Sequence, residues 1–357
     1  MRRLLAAIGV ALSVAACGGG STTKTTTSAA SRKAAAPAAL PSGSRLVLDT
    51  VQPLAWAYAA DGSLYYAYAN PVGEHVGEAY ELTRVDTATR RVVAVQRFGS
   101  ALDATVAAGG SLWVTTTVGE TAWLWRLDPA SLKVESDQKL PSSRSTEGIA
   151  GSLAVAGGHL WIGNGVLDRV SLQTGRVDRV VSPSHPGPVQ VAADPGGRVL
   201  LASLGYEHPT YVARLNPDTG APLSELTVPE SDTQPSLGGV LDGGAWVENT
   251  VGYRTSAWRI ALGTFKVTRA DVVNTGASRL SIRTIDGVLW VTEPLGQDNL
   301  NYCADPVTGR PLARLPLLPG DSVLLTADET SLFYTDVPVN AHAVKLETAP
   351  INRDCVS

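Results

Sequence analysis

One short pattern recurs seven times between Asp61 and Tyr334, and it restricts the fold more than any other feature of the chain. Each copy is a small turn followed by an apolar residue, an aromatic and another apolar residue. Asp61-Gly62-Ser63-Leu64-Tyr65-Tyr66, Gly109-Gly110-Ser111-Leu112-Trp113-Val114 and Gly157-Gly158-His159-Leu160-Trp161-Ile162 set the type. Gly196-Gly197-Arg198-Val199-Leu200-Leu201, Asp242-Gly243-Gly244-Ala245-Trp246-Val247, Asp286-Gly287-Val288-Leu289-Trp290-Val291 and a degenerate Glu329-Thr330-Ser331-Leu332-Phe333-Tyr334 complete the series. The anchor position therefore reads Tyr65, Trp113, Trp161, Leu200, Trp246, Trp290 and Phe333. A unit this short buries its apolar face only by stacking on its neighbours.

A second landmark trails each anchor: a basic residue, an apolar one, then usually Asp, Asn or Glu. These are Arg84-Val85-Asp86, Arg126-Leu127-Asp128, Arg169-Val170-Ser171, Arg214-Leu215-Asn216, Arg259-Ile260-Ala261, Cys303-Ala304-Asp305 and Lys345-Leu346-Glu347. Turns such as Pro217-Asp218-Thr219-Gly220 come next, then another β-rich run. Each unit reads as strand a, tight turn, strand b, variable loop, strand c, tight turn, strand d. Four-stranded units of about 45 residues are the size of propeller blades. No segment holds a 3.6-residue apolar period, which excludes a helical solenoid. The expected fold is all-β: a seven-bladed β-propeller of four-stranded antiparallel blades over 45–357. The Trp anchors read as packing between blades. A basic residue repeated in six copies reads as structural, bonding loop carbonyls or a neighbouring blade.

The last unit has runs for a, b and c but a weak fourth strand. Arg45-Leu46-Val47-Leu48-Asp49-Thr50-Val51 precedes the first strand a, as a d strand precedes every other. The N-terminal strand 45–51 is expected to close the ring, with Pro350–Ser357 as the competing segment.

Ahead of the repeats lie three different textures. Leu4 to Ala16 is uncharged and follows Arg2-Arg3, too short a run to span a bilayer and the size of a signal-peptide apolar region. It ends in Val14-Ala15-Ala16-Cys17, which resembles the lipobox of bacterial lipoproteins, whose Cys is lipidated; a simple secretory signal is the alternative. Residues 18–44 are Gly, Ser, Thr, Ala and Lys with little to bury. The expected organisation is a signal peptide over 1–16, a lipidated Cys17 with a flexible tether over 17–44, and the propeller. The expected location is the outer surface of the bacterial cell membrane, held there by lipid.

Two further cysteines, Cys303 and Cys355, form an even pair, either disulfide-bonded or separate thiols. The formal charge of −4, with no basic block, argues against nucleic acid.

On a propeller the b–c and d–a loops share one face, and here they are long, polar and different in every unit. Three residues past each anchor stand Tyr68, Thr116, Asn164, Ser203, Asn249, Glu293 and Asp336, with Glu248 beside Asn249. Tyr68, Asn164, Tyr206, Glu248, Asn249, Glu293 and Asp336 are the candidate binding residues, and strand ends that merely cap turns are the plainer reading. Carboxylates and amides converging on a funnel suit a cation such as Ca²⁺ or Mg²⁺, or a hydroxyl-rich ligand. No other cofactor is indicated. The five His form no zinc spacing, and no nucleophile elbow, phosphate loop or dinucleotide fingerprint occurs.

Asp286-Gly287-Val288-Leu289-Trp290-Val291-Thr292-Glu293 and Arg214-Leu215-Asn216-Pro217-Asp218-Thr219-Gly220 resemble repeats of the YncE-like and streptogramin-lyase-like (virginiamycin B lyase-like) propellers. The tether, the rigid ring, the polar strand ends and the missing catalytic set lead to the expectation of non-catalytic binding of a small molecule, glycan or envelope protein by a monomer through the loop-rich face. The resemblance implies the alternative, Mg²⁺-assisted elimination centred on Glu293 and Asp336. Glu293 matches the lyase glutamate, but neither Glu293-Pro294-Leu295 nor Glu248-Asn249-Thr250 has a nearby His, so no catalytic residue is assigned.

Overall fold

The computed structural model describes the chain from residue 45 onward, apart from 51–53, 69–80, 119–120, 142–151, 183–184, 186, 188, 205–209, 229–234, 252–253, 270–280, 286, 296–297, 315–322, 328–330, 337–343, 351–354 and 356–357. The expected signal peptide, Cys17 and the expected tether lie outside the described residues. Among the described residues, 28 strands pair into seven four-stranded antiparallel sheets. The first strand, β1 (Arg45–Thr50), stands apart from the four after it. Sheet I holds β2 (Leu54–Ala60), β3 (Ser63–Tyr68), β4 (Glu81–Asp86) and β5 (Arg91–Arg97); sheet II holds β6 (Ala101–Ala108), β7 (Ser111–Val118), β8 (Thr121–Leu127) and β9 (Val134–Lys139). Sheet III holds β10 (Ser152–Ala156), β11 (His159–Gly163), β12 (Leu167–Ser171) and β13 (Val177–Val181). Sheet IV holds β14 (Val189–Ala193), β15 (Leu200–Leu204), β16 (Thr210–Leu215) and β17 (Pro222–Val228). Sheet V holds β18 (Ser236–Leu241), β19 (Gly244–Val251), β20 (Arg254–Ala261) and β21 (Lys266–Arg269). Sheet VI holds β22 (Ser281–Ile285), β23 (Val288–Leu295), β24 (Asp298–Ala304) and β25 (Pro311–Arg314).

Those six sheets each use four consecutive strands. Sheet VII does not: β26 (Val323–Ala327), β27 (Ser331–Asp336) and β28 (Val344–Pro350) come from the C-terminal end, and β1 supplies the fourth strand. The pairing runs from Arg45↔Thr348 to Thr50↔Val344, so the two ends of the folded unit share one sheet. The first strands also pack in series. β2 lies against β6, and so on to β18 against β22, while β26 lies against β2. The molecule is a β-propeller of four-stranded antiparallel blades.

Packing between sheets explains the aromatic repeat. Tyr65 packs on Leu112, Val114 and Leu127 of sheet II, and Trp113 on Leu160, Ile162 and Val170 of sheet III. Trp161 meets Leu200, Ala202 and Leu215 of sheet IV, and Trp246 meets Leu289, Val291 and Tyr302 of sheet VI. All four are almost fully buried, and removing such a ring from water is worth roughly 2–3 kcal/mol.

Strand register changes two positions of the repeat. Across from the basic residue of strand c stands the anchor: Tyr65↔Arg84, Trp113↔Arg126, Trp161↔Arg169 and Trp246↔Arg259. In sheet IV the residue across from Arg214 is Leu201, not Leu200, and Leu201 is the one that packs on sheet V. The turn at 194–199 is longer than the two-residue turns of sheets I, II, III, V and VI, and a slip of one residue reverses which face each side chain occupies. In sheet VII, Phe333 pairs with Thr348 and Lys345 pairs with Asp336, so Lys345 is not the counterpart of the arginines.

The c–d turns share one construction. The third residue of the landmark accepts main-chain N–H groups on its side chain: Asp86 from Thr89, Asp128 from Ser131, Asn216 from Asp218 and Thr219, Asp305 from Val307 and Thr308. These bonds hold the carboxyls of Asp86, Asp128 and Asp305 below the usual aspartate value, led by the main-chain bond at Asp86 and the side-chain hydroxyls of Ser131 and Thr308 at the other two. The c–d ladder carries a bulge directly after the basic residue in sheets I to V, and bulges re-aim neighbouring side chains.

The re-aimed arginines reach out of their own sheet. Arg84 Nη1 donates to the Ala130 carbonyl at 2.8 Å, Arg169 Nη1 to that of Asp218, Arg214 Nη1 to that of Leu262 at 3.0 Å, and Arg259 Nε to that of Pro306 at 3.1 Å. Every acceptor lies in the c–d turn of the next sheet. The anchors join them: Tyr65 donates to Pro129, Trp161 to Pro217 and Trp246 to Pro306. Gly220 closes the same contact by lacking a side chain, since a Cβ there would sit 2.7 Å from the Trp161 ring at a φ of +70°. Between sheets II and III the link differs: Arg126 stays with Ser111 and Glu135, and Gln138 donates to the Gly175 carbonyl at 2.6 Å.

Candidate functional site

Antiparallel meanders place the a–b and c–d turns at one end of each sheet and the b–c and d–a connections at the other. The c–d turns are formulaic and engaged in the arginine contacts. The b–c connections range from 119–120 in sheet II and 252–253 in sheet V to 69–80 in sheet I. Variable connections on a rigid frame are where binding residues concentrate.

The positions near the loop-side ends of the b strands do not form one solvent-facing ring. Thr116 is buried, and its hydroxyl accepts the Trp125 indole N–H at 2.8 Å. Ser203, two residues past the true anchor Leu201, is buried and donates to the Pro235 carbonyl at 2.5 Å, just ahead of sheet V. Asn164 is also buried, its main-chain N–H bonded to the Val166 carbonyl at 2.9 Å. Tyr68, Asn249, Glu293 and Asp336 are placed by main-chain pairing with Leu54, Ser256, Leu300 and Lys345. Tyr206, along with His75, His208 and His342, lies outside the described residues.

Among the described residues, Glu248 is the carboxylate shifted furthest from its ordinary behaviour. It stands two residues past Trp246, on the face that meets sheet VI, and one oxygen accepts the Ile282 main-chain N–H at 2.5 Å. Burial pushes its carboxyl up to about 7; the Ile282 bond and the Arg283 guanidinium pull in the opposite direction and are outweighed. The side chain therefore joins two blades.

One grouping has no counterpart in the sequence motifs. His185, in the connection between sheets III and IV, stacks on Tyr211 with ring centroids 3.5 Å apart and planes 7° apart. Its Nε2 lies 2.8 Å from Glu225 Oε1, and both side chains are partly exposed. An imidazole held between a ring and a carboxylate has fixed orientation, and only the pairing of β16 with β17 brings Tyr211 and Glu225 within reach of residue 185. Among the described residues no three His, Cys, Asp or Glu side chains are grouped to hold a metal ion. Cys303 and Cys355 are joined as a disulfide, with Cα atoms 5.8 Å apart.

No family model matches this sequence, and no curated protein matches it either. Among solved structures, hydrazine synthase of Kuenenia stuttgartiensis superposes with a TM-score of 0.58 at 13% identity, covering 80% of this chain and 92% of that one. BamB of Moraxella catarrhalis gives a TM-score of 0.48 at 14% identity, covering 87% and 91%. At such identities the likeness to the first is one of fold: a β-propeller.

Proposed function

We propose that this chain is an exported, lipid-anchored propeller of the bacterial cell membrane that binds a ligand or envelope protein through the face carrying its b–c and d–a connections, without catalysing a reaction. The observation that carries this reading is the division between the two faces. On the turn face, arginines, anchors and turn carbonyls bond one another between sheets, so those groups are not available to a partner. On the opposite face the connections differ in length and composition from sheet to sheet. A rigid ring with one committed face and one variable face suits recognition. The Cys17 lipobox and the tether over 17–44 support attachment to a membrane and presentation at a distance from it.

Two measurements test the proposal. Expressed in a bacterium, the wild-type chain is expected in the detergent-released membrane fraction, and Cys17→Ser in the soluble exported fraction. Unchanged fractionation rejects the anchor. Replacing 69–80 by a three-residue Gly-Asn-Gly linker is expected to abolish in-cell cross-links to a partner while leaving the melting temperature within a few degrees. Cross-links that survive this change but are lost in the turn-face variant Arg90→Glu place binding on the wrong face.

A further inference from the structure

The c–d turn of each sheet from II to VI is a closed loop of chain, held at both ends, that presents carbonyls to the sheet before it. Sheet VII has no such turn. Its strands c and d are β28 and β1, from opposite ends of the folded unit, and β28 leads instead into the tail 351–357. Without that turn, sheet VII offers sheet VI no c–d turn carbonyls of the kind that the arginines hold elsewhere.

The residues of sheet VI differ here in a matching way. The position across from Trp290, which is arginine in sheets I to V, is Cys303. Cys303 is bonded to Cys355, which lies in the tail. The indole nitrogen of Trp290 is buried with no partner among the described residues, whereas the anchors of sheets I, III and V donate to turn carbonyls.

We infer that the Cys303–Cys355 disulfide takes the place of the arginine clamp at the one seam where the neighbouring sheet has no c–d turn, so that complete closure of the ring depends on oxidation of this pair. In forming it, the two thiols lose two protons and two electrons and gain the S–S bond. The acceptor is a small-molecule or protein disulfide, which leaves as two thiols. Both cysteines are buried in the closed ring, with 0% and 6% exposure, so exchange with a thiol requires the seam to open first. The ring is thereby gated by compartment: unlatched where thiols are kept reduced, latched once an oxidant is met.

Hydrogen exchange read by mass spectrometry on the whole mature chain tests this. In Cys303→Ala/Cys355→Ala, peptides covering β1, β24 and β28 are expected to exchange at least tenfold faster than in the oxidised wild type, with sheets II to V unchanged. Equal protection of β1 and β28 in both proteins, or a uniform loss across all sheets, overturns the inference. If the double variant does not accumulate, wild type refolded with oxidised or with reduced glutathione, its thiol state checked by mass, gives the same comparison. Protection of β1 regardless of thiol state then overturns it.

Discussion

Arg259 and Trp246 share one acceptor: the guanidinium Nε and the indole N–H both donate to the Pro306 carbonyl, at 3.1 and 2.9 Å. The two residues face each other across the β19–β20 ladder, and their common partner belongs to the next sheet. A second guanidinium nitrogen of Arg259 holds the Asp242 carbonyl in the a–b turn of its own sheet at 3.1 Å. One side chain thus ties two turns of neighbouring sheets together.

Arg259→Ala removes these bonds, leaving the Pro306 carbonyl with the Trp246 indole alone and the Asp242 carbonyl without its arginine donor. A loss of about 2–3 kcal/mol is expected, read as a lower urea midpoint with an unchanged slope. Arg259→Lys recovers little, because a single ammonium cannot span Pro306 and Asp242 together. Full stability in the lysine variant would show that charge alone matters here.

Glu248 gives the stability a defined pH dependence. Its folded pKa of about 7 lies above the ordinary glutamate value of 4.5, so the protonated form is the one the fold favours. The associated stability is present below pH 4.5 and is lost as pH rises through 7. Glu248→Gln keeps an acceptor for Ile282 and removes the charge. It is expected to match wild type near pH 4.5 and to exceed it by roughly 2–3 kcal/mol at pH 8. Denaturation midpoints at the two pH values check the sign. The aspartates of the c–d turns act in the opposite sense, their contribution disappearing as pH falls below the usual aspartate value.

Arg90 adopts a φ of +57° in the c–d turn of sheet I, where sheets III, IV and VI have glycine. Its side chain is exposed, so little packing is lost on removing it. Arg90→Gly is expected to stabilise the protein by about 0.5–1 kcal/mol, visible as a raised melting temperature. A decrease would mean that the guanidinium makes a contact of its own.

Deleting 45–51 leaves β28 without its partner and reopens the ring, whereas deleting 18–44 removes none of the described strands. The first truncation is expected to lower the melting temperature by roughly 10 °C or more, the second by a degree or two. Equal melting temperatures would show that β1 is not what closes sheet VII.

The blade plan was legible in the sequence because it is local. Turn residues with positive φ, alternating apolar runs and the Arg-Leu-Asp landmark each act within a few residues, and they mark strands and turns directly. The inter-sheet role of the arginines was readable from their recurrence alone. What repetition could not reveal was register. The longer 194–199 turn shifts the anchor of sheet IV to Leu201, and the ladder in sheet VII puts Thr348 rather than Lys345 across from Phe333.

The candidate site depended still more on the third dimension. A strand-end carboxylate faces either solvent or the neighbouring blade according to a single residue of phase, and Glu248 faces the blade. Ser203 likewise bonds the Pro235 carbonyl ahead of the next sheet, whereas Thr116 bonds Trp125 within its own. The meeting of His185 with Tyr211 and Glu225 has no sequence signal, because three separate segments supply it. Short-range preferences encoded in the chain determine which segments become strands and turns. Which side chains meet is decided by the register within each sheet and by the packing of one sheet on the next, which joins residues as far apart as Trp246 and Pro306.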